Sequence, residues 1–137
     1  MKKWFVCLMM VAMAAGLAAQ DKPYTFSDKD VGTLVITSTT VDAVWPKAVR
    51  LFMTQDRDWV VPPITVTDRP SGLLVGVWAQ GKGPMAWTPT LSLSFEQDGP
   101  DVRISAVPSV LGSKHPSRRK KALAVASFFD ALLEAMK

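Results

Sequence analysis

The only histidine of this 137-residue chain is His115, which stands just before Pro116 in a connecting segment. A serine-type catalytic triad needs a histidine as its general base. The chain has no G-x-S-x-G nucleophile elbow, however, and Ser113 and Ser117 are neighbours of His115 only in sequence. One histidine cannot form a zinc site without cysteines, and the only cysteine, Cys7, lies in a segment that we expect to be removed. We therefore interpret His115 as an exposed loop residue and predict neither a catalytic nor a metal site.

Two other patterns could support chemistry, and each has a simpler explanation. The carboxylates of Asp56, Asp58 and Asp68 could pair for acid–base catalysis, but Arg57 lies between the first two at a helix exit, which favours a solvated corner. The stretch Gly81–Pro84 contains two glycines, but it lacks the preceding strand and following helix that a phosphate-binding loop requires. We predict no enzyme activity and no cofactor, and keep an envelope hydrolase as an alternative.

The main charge feature is a basic cluster, defined here as Lys114, Arg118, Arg119, Lys120 and Lys121. Without Lys2 and Lys3 the chain has 14 basic and 12 acidic residues, and the cluster holds five of the 14. If the last helix begins near Ser117, the cluster crowds its N-terminus, where the macrodipole disfavours positive charge by ~0.3–1 kcal/mol per residue. We therefore predict an anionic contact: phospholipid headgroups, lipopolysaccharide phosphate, the acidic body of the same fold or an acidic partner. A solvated face is the alternative.

A second candidate contact is the loop from Gln80 to Pro89, which is rich in glycine and proline and carries Met85 and Trp87. Loops normally run over the surface, so an exposed tryptophan beside a methionine would offer apolar contact area to a partner or a glycan. The alternative is that Trp87 folds back and caps the sheet, since large aromatic side chains are usually mostly buried.

The first twenty residues have the layout of a secretory signal peptide. Two lysines follow Met1, Trp4 to Gly16 is an uncharged apolar run, and small residues lead to a polar stretch that begins at Gln20. This run is shorter than the ~20 residues of a membrane-spanning helix. We predict cleavage after Ala18 or Gln20, no lipidation of Cys7, and a periplasmic or secreted chain. The processed protein would not be an integral membrane protein, and nucleic acid is not expected as a partner.

The remaining residues, 21–137, are long enough for one domain. An extended segment from Tyr24 to Thr37 is followed by an apolar stripe with helical spacing, which predicts a helix over 41–54 with a capping box formed by Thr39 and Asp42. Four strands follow. The first contains Pro62 and Pro63, which predicts an edge or broken strand, and the turns at 68–72 and 98–100 predict hairpins.

A closing helix is predicted over 117–136. Its expected buried stripe consists of Ala122, Val125, Ala126, Phe129, Leu132, Leu133 and Met136. The order β-α-β-β-β-β-α predicts an α+β domain in which an antiparallel sheet of about five strands carries both helices on one face.

Three stretches of the sequence carry a resemblance to a known family. The run from Val41 to Trp45, a charged corner before Val60, and the turn and strand start from Asp68 to Leu73 resemble the repeated module of the outer-membrane assembly lipoprotein BamC. Small periplasmic TBP-like or helix-grip-like domains are similar. The resemblance implies a fold and a binding style, with no catalytic residues.

These observations favour a non-enzymatic binding or scaffolding domain of the bacterial cell envelope. The expected working surfaces are the outer face of the sheet, the loop with Met85 and Trp87, and the basic cluster. The expected partner is an envelope protein or an anionic lipid or glycan surface. A different class of function stays open: a carrier that shelters an apolar ligand between the sheet and the last helix, beside Phe128, Phe129 and Leu133.

Overall fold

A computed structural model describes residues 22–27, 31–55, 63–79, 89–109 and 118–137. The predicted signal peptide, residues 1–20, lies outside the described residues. The strands are β1 (Tyr24–Phe26), β2 (Gly32–Ile36), β3 (Ile64–Asp68), β4 (Leu73–Val77), β5 (Thr90–Asp98) and β6 (Asp101–Ser109); the helices are α1 (Val41–Met53) and α2 (Arg118–Ala135).

The six strands form one antiparallel sheet in the order β1-β2-β6-β5-β4-β3. Together with the two helices, this confirms the predicted α+β class. The sheet has six strands where about five were expected, because the extended segment from Tyr24 folds back on itself. Tyr24 pairs with Leu34 and Phe26 pairs with Gly32, so the segment that was expected to form one strand forms two, β1 and β2.

The prolines at 62 and 63 predicted an edge strand, and β3 is the last strand on its side of the sheet. The earlier part of that expected strand, residues 59–61, lies outside the described residues. An edge position suits this segment because proline has no N–H to donate to a neighbouring strand.

Both predicted hairpins are present. The strands β5 and β6 pair along their whole length from Thr90–Ser109 to Asp98–Asp101, and Gly99 in the turn has a φ of +61°. The alternation in β5 is confirmed, since Leu91, Leu93 and Phe95 are buried between more exposed neighbours. This hairpin forms the centre of the sheet.

Both helices pack on the same face of the sheet and share one hydrophobic core with it. The core residues from the strands are Leu34, Ile36, Leu74, Leu91, Leu93, Phe95, Val102, Ile104 and Ala106; those from the helices are Val41, Val44, Ala48, Phe52, Val125, Phe128, Phe129 and Leu132.

The predicted cap of α1 is wrong by one residue. Thr40 is the N-cap, with extended backbone angles, and its Oγ1 accepts the backbone N–H of Ala43 at 3.2 Å. Thr39 is instead held by the β5–β6 turn, because its N–H donates to the carbonyl of Pro100 at 3.1 Å. A tertiary contact therefore decides which threonine caps the helix.

The buried stripe of α2 is confirmed at Val125, Phe129 and Leu132, which are fully buried, but it differs from the prediction at its edges. Phe128 is fully buried together with Ala124, whereas Ala122 and Ala126 are half-buried. The reason is an aromatic cluster: the ring of Phe128 stacks on that of Phe52 with centroids 4.9 Å apart. Burying a phenylalanine removes more apolar area from water than burying an alanine, so the larger ring decides which face turns inward.

Candidate binding surfaces

The structure describes only part of the predicted site. Met85, Trp87, Lys114 and His115 lie outside the described residues, and Arg118 is described only as the first residue of α2. The members of the basic cluster that can be placed fully are Arg119 and Lys120, which are exposed, and Lys121, which is half-buried.

The structure adds an apolar residue to this part of α2. Leu123 lies four positions after Arg119 and three after Lys120, so the three side chains are neighbours on one helix face. Leu123 is 56% exposed, whereas the next two residues, Ala124 and Val125, are fully buried. We call Arg119, Lys120 and Leu123 the Arg119 patch. Leu123 lies outside the buried stripe expected from the sequence, but the sequence pattern did not identify it as a contact residue, because only the cations predicted a candidate surface.

A separate feature, missed from the sequence, is a groove of about 550 Å³ at the start of α1. We call it the Arg69 groove. Its walls come from three places in the chain: residues 40–42 at the helix start, residues 69–72 in the β3–β4 turn, and Phe95, Gln97 and Gly99 in the β5–β6 hairpin. The groove is therefore assembled by the packing of one helix against two hairpins.

Gln97 fixes the wall that joins α1 to the β5–β6 hairpin. Its Oε1 accepts the backbone N–H of Val41 at 3.0 Å. Its Nε2 donates to the carbonyl oxygens of Thr39, Gly99 and Asp101, all within 3.1 Å. Thr40 and Gln97 together occupy donors at the helix start that would otherwise need water or an anion.

The opposite wall is the β3–β4 turn, which Gly72 brings close to β5. Gly72 has a φ of +74°, and its carbonyl accepts the N–H of Phe95 at 2.8 Å. A Cβ at this position would lie 2.4 Å from the carbonyl oxygen of Phe95. Only glycine combines this backbone conformation with so close an approach.

Arg69 lies between these two walls. Its guanidinium forms an ion pair with Asp42 in the first turn of α1 and lies over the ring of Trp45, 5.6 Å from the centroid. Trp45 in turn meets Phe95 edge to face, with centroids 5.0 Å apart. The Arg69 side chain remains 42% exposed. The guanidinium thus contacts both Asp42 and Trp45, while part of the side chain faces solvent.

The Arg69 groove offers hydrogen bonds and charge to a bound group. Hydroxyls come from Thr40 and Ser71, a carboxylate from Asp42 and a guanidinium from Arg69. Within the five described stretches, no three histidine, cysteine or acidic side chains come together as metal ligands. The arrangement is suited to recognition of a polar partner. The sequence signals were Arg69 and Trp45, but they are too far apart in the chain for local spacing to pair them.

The outer face of the sheet, expected as a working surface, carries both apolar and polar side chains. Its exposed apolar residues are Val66, Leu73 and Val107, and the positions between them carry serine and threonine. Arg103 on this face pairs with Asp98 at 3.1 Å.

The space where a carrier would hold its ligand is filled by side chains in the structure. Phe128 and Phe129 are fully buried. The ring of Phe128 meets that of Trp78 edge to face at 5.2 Å, and Trp78 Nε1 donates to Ser127 Oγ at 3.3 Å. A ligand between the sheet and α2 would have to separate these rings.

Strand β1 is tied to α2 at the other edge of the sheet. The hydroxyl of Tyr24 donates to Asp130 Oδ1 at 3.1 Å, and Lys22 Nζ lies 3.7 Å from the same oxygen. Partial burial, followed by the hydrogen bond to Asp130 and its negative charge, raises the pKa of Tyr24 above its usual range.

Neither α1 nor α2 is long and apolar enough to cross a bilayer, and no other helix occurs in the described part of the chain. Comparison with protein families gave no matching family model, and comparison with curated proteins gave no significant match.

Proposed function

We propose that this chain is a non-enzymatic binding domain exported to the bacterial cell envelope, and that the Arg69 groove receives a polar segment of another envelope protein. The observation that carries this proposal is the placement of Arg69, which is held by Asp42 and Trp45 at the edge of a groove that it does not fill.

Two properties of the groove support binding. Its volume of about 550 Å³ lies within the range of ~300–1,000 Å³ that is usual for ligand sites. Its walls are also tied together before any partner arrives, by Gln97 on one side and Gly72 on the other. A site that is already ordered loses less conformational entropy when a partner binds.

The chemistry of Arg69 favours a partner that bears a carboxylate. A guanidinium presents its N–H groups as a planar fork that matches a carboxylate with two parallel hydrogen bonds. The exposed N–H groups of Arg69 would donate to this carboxylate beside Asp42. The hydroxyls of Thr40 and Ser71 would form hydrogen bonds with the partner's backbone. An acidic segment of an envelope protein has both features.

The proposed location rests on the layout of residues 1–20, which is that of a signal peptide. The resemblance to BamC-like modules is compatible with it. The two stretches that carry the resemblance most clearly, at 41–45 and 68–73, contribute the helix start and the turn of the groove.

Site-specific photo-crosslinking in a Gram-negative bacterium tests the proposal. A photoreactive residue replaces Ser71 in the groove or, as a control, Lys47 on the exposed side of α1. We expect a discrete adduct with an envelope protein from position 71 that is absent from position 47 and is lost when Arg69→Gln is added. The recovered chain should begin between Ala19 and Asp21.

The same adducts from both positions, or adducts that persist with Arg69→Gln, would contradict a role for the groove. A full-length chain retained in the cytoplasm would contradict export. A native mass spectrum separates the carrier alternative, because a carrier retains a lipid mass and the proposed binding domain does not.

A further inference from the structure

The Arg119 patch combines two kinds of side chain that helix stability does not require at this place. Arg119 and Lys120 put positive charge into the first turn of α2, where the macrodipole disfavours it. Leu123 is 56% exposed beside them, although the same helix fully buries Leu132. Lysine and arginine beside an exposed leucine are the residue types with which interfacial helices contact anionic membranes.

The charges of α2 are unevenly distributed, with basic residues at the start of the helix and acidic residues near its end. The acidic residues Asp130 and Glu134 are exposed and lie three and almost four turns beyond Lys120. Each has a cation beside it: Lys22 lies 3.7 Å from Asp130, and Lys137 lies 3.1 Å from Glu134. The first turn of α2 contains basic residues and no acidic one, and its last turn contains no basic one, so a negatively charged surface would attract the beginning of α2 more than its end.

We propose that the Arg119 patch binds the surface of an anionic phospholipid bilayer, with the two cations at the headgroups and Leu123 entering the boundary of the acyl chains. Charge complementarity favours the anionic lipid. Leu123 favours a bilayer over a purely acidic chain, because such a chain has no apolar group to cover the leucine. The inference shares only the envelope location with the proposed function. The Arg69 groove and the Arg119 patch have no residue in common.

The contact should be weak and sensitive to salt. A basic residue near an anionic leaflet contributes about fivefold to affinity, so two contribute roughly 30-fold. Removing the apolar part of Leu123 should reduce affinity by about tenfold. Raising the salt from about 0.1 M to about 1 M shortens the Debye length from ~10 Å to ~3 Å and should remove most of the charge-dependent part.

Co-sedimentation with vesicles tests this inference with the full chain. One set of vesicles contains phosphatidylglycerol and the other only phosphatidylcholine. Each variant is compared with the parent chain on the same vesicles, so that any binding by residues 1–20, which all the chains share, cancels. The variants are Arg119→Gln with Lys120→Gln, and Leu123→Ser alone.

Two matched controls lie on α1. Lys47→Gln with Arg50→Gln makes the same change in net charge at exposed positions. Met53→Ser removes an apolar side chain that is 60% exposed, close to the exposure of Leu123. Circular dichroism of every variant checks that the fold is retained.

We expect the double variant of the patch to lose roughly 30-fold in affinity for the anionic vesicles, and Leu123→Ser to lose about tenfold. The two controls should bind like the parent chain. Equal losses from patch and control variants, or binding that ignores salt, would overturn the inference. Binding to soluble polyglutamate that matches vesicle binding and is unchanged by Leu123→Ser would also overturn it, in favour of an acidic protein partner. Neither result depends on a crosslink from Ser71, so the proposed function can fail or hold separately.

Discussion

The two helices pack on the same face of one sheet, yet their charges run in opposite directions. Helix α1 begins with the cap Thr40 and the acidic Asp42, and has Arg50 in its last turn. Helix α2 begins with four basic residues, 118–121, and has Glu134 in its last turn. The first order complements the macrodipole and the second opposes it.

The difference shows where each helix obtains its stability. In α1, local capping and charge agree with burial of Val44, Ala48 and Phe52. In α2 the charges interact unfavourably with the helix dipole. The stability of this helix must therefore come from tertiary contacts, chiefly the burial of Phe128 and Phe129. A helix held in this way can carry a functional charge pattern at its beginning without unfolding, because core burial is worth more than the charges cost.

The largest effect should come from the aromatic cluster that holds α2. We expect Phe128→Ala to lower the free energy of unfolding by about 3–5 kcal/mol, the usual range for removing a buried phenylalanine. The measurement is urea unfolding followed by tryptophan fluorescence. Leu123→Ala is the control, because Leu123 is exposed and its loss should change stability by less than about 0.5 kcal/mol.

If Phe128→Ala cost no more than the control, α2 would not depend on its core contacts and the contrast between the helices would fail. For a domain with a total stability of about 5–15 kcal/mol, the expected loss is large enough to unfold part of the population.

Smaller changes in the free energy of unfolding should follow from substitutions at the starts of the two helices, and the two changes should have opposite signs. We expect Thr40→Ala to lower the free energy of unfolding by about 1 kcal/mol, because Ala43 loses the hydrogen bond to its cap. We expect Arg119→Glu to raise it by ~0.3–1 kcal/mol, because an acidic residue then replaces a basic one in the first turn. Thermal unfolding in low salt measures both variants.

High salt provides the internal control for this pair. It should reduce the gain from Arg119→Glu, which is electrostatic, and leave most of the loss from Thr40→Ala, which is a hydrogen bond. A loss of stability from Arg119→Glu would show that Arg119 supports the fold.

The smallest effect on stability concerns the hydrogen bond between Tyr24 in β1 and Asp130 in α2. Tyr24 has a raised pKa in the folded chain, so the folded state holds the phenolic proton more tightly than the unfolded state. This contribution to stability is fully present below the unfolded pKa of about 10 and is lost as the pH rises through the folded pKa. We expect the parent chain to lose stability above about pH 10 more steeply than Tyr24→Phe.

Unfolding by urea between about pH 8 and pH 11 measures the two slopes. Parallel slopes for Tyr24→Phe and the parent would mean that Tyr24 does not couple β1 to α2 through its proton. Asp130→Asn is the matched variant, because it removes the negative charge and keeps an acceptor for the Tyr24 hydroxyl.

The sequence by itself determined the element types and most of their bounds, because these depend on local rules. The helical spacing of Val41, Val44 and Ala48 and the strict alternation in β5 are periods of 3.6 and 2 that are readable over a few residues. The turn residues at 68–72 and 98–100 marked the hairpins, since a positive φ needs glycine there. Of the predicted site, only Arg119, Lys120 and Lys121 at the start of α2 could be compared with the structure; the first two are exposed and Lys121 is half-buried.

Only the tertiary structure decided which residues meet across the chain. It selected Thr40 over Thr39 as the cap because the β5–β6 turn holds Thr39. It turned Phe128 inward, where its ring stacks on Phe52 and meets Trp78 edge to face. It also assembled the Arg69 groove from three distant segments. Such pairings depend on the shape and register of packed surfaces, which local periodicity does not encode.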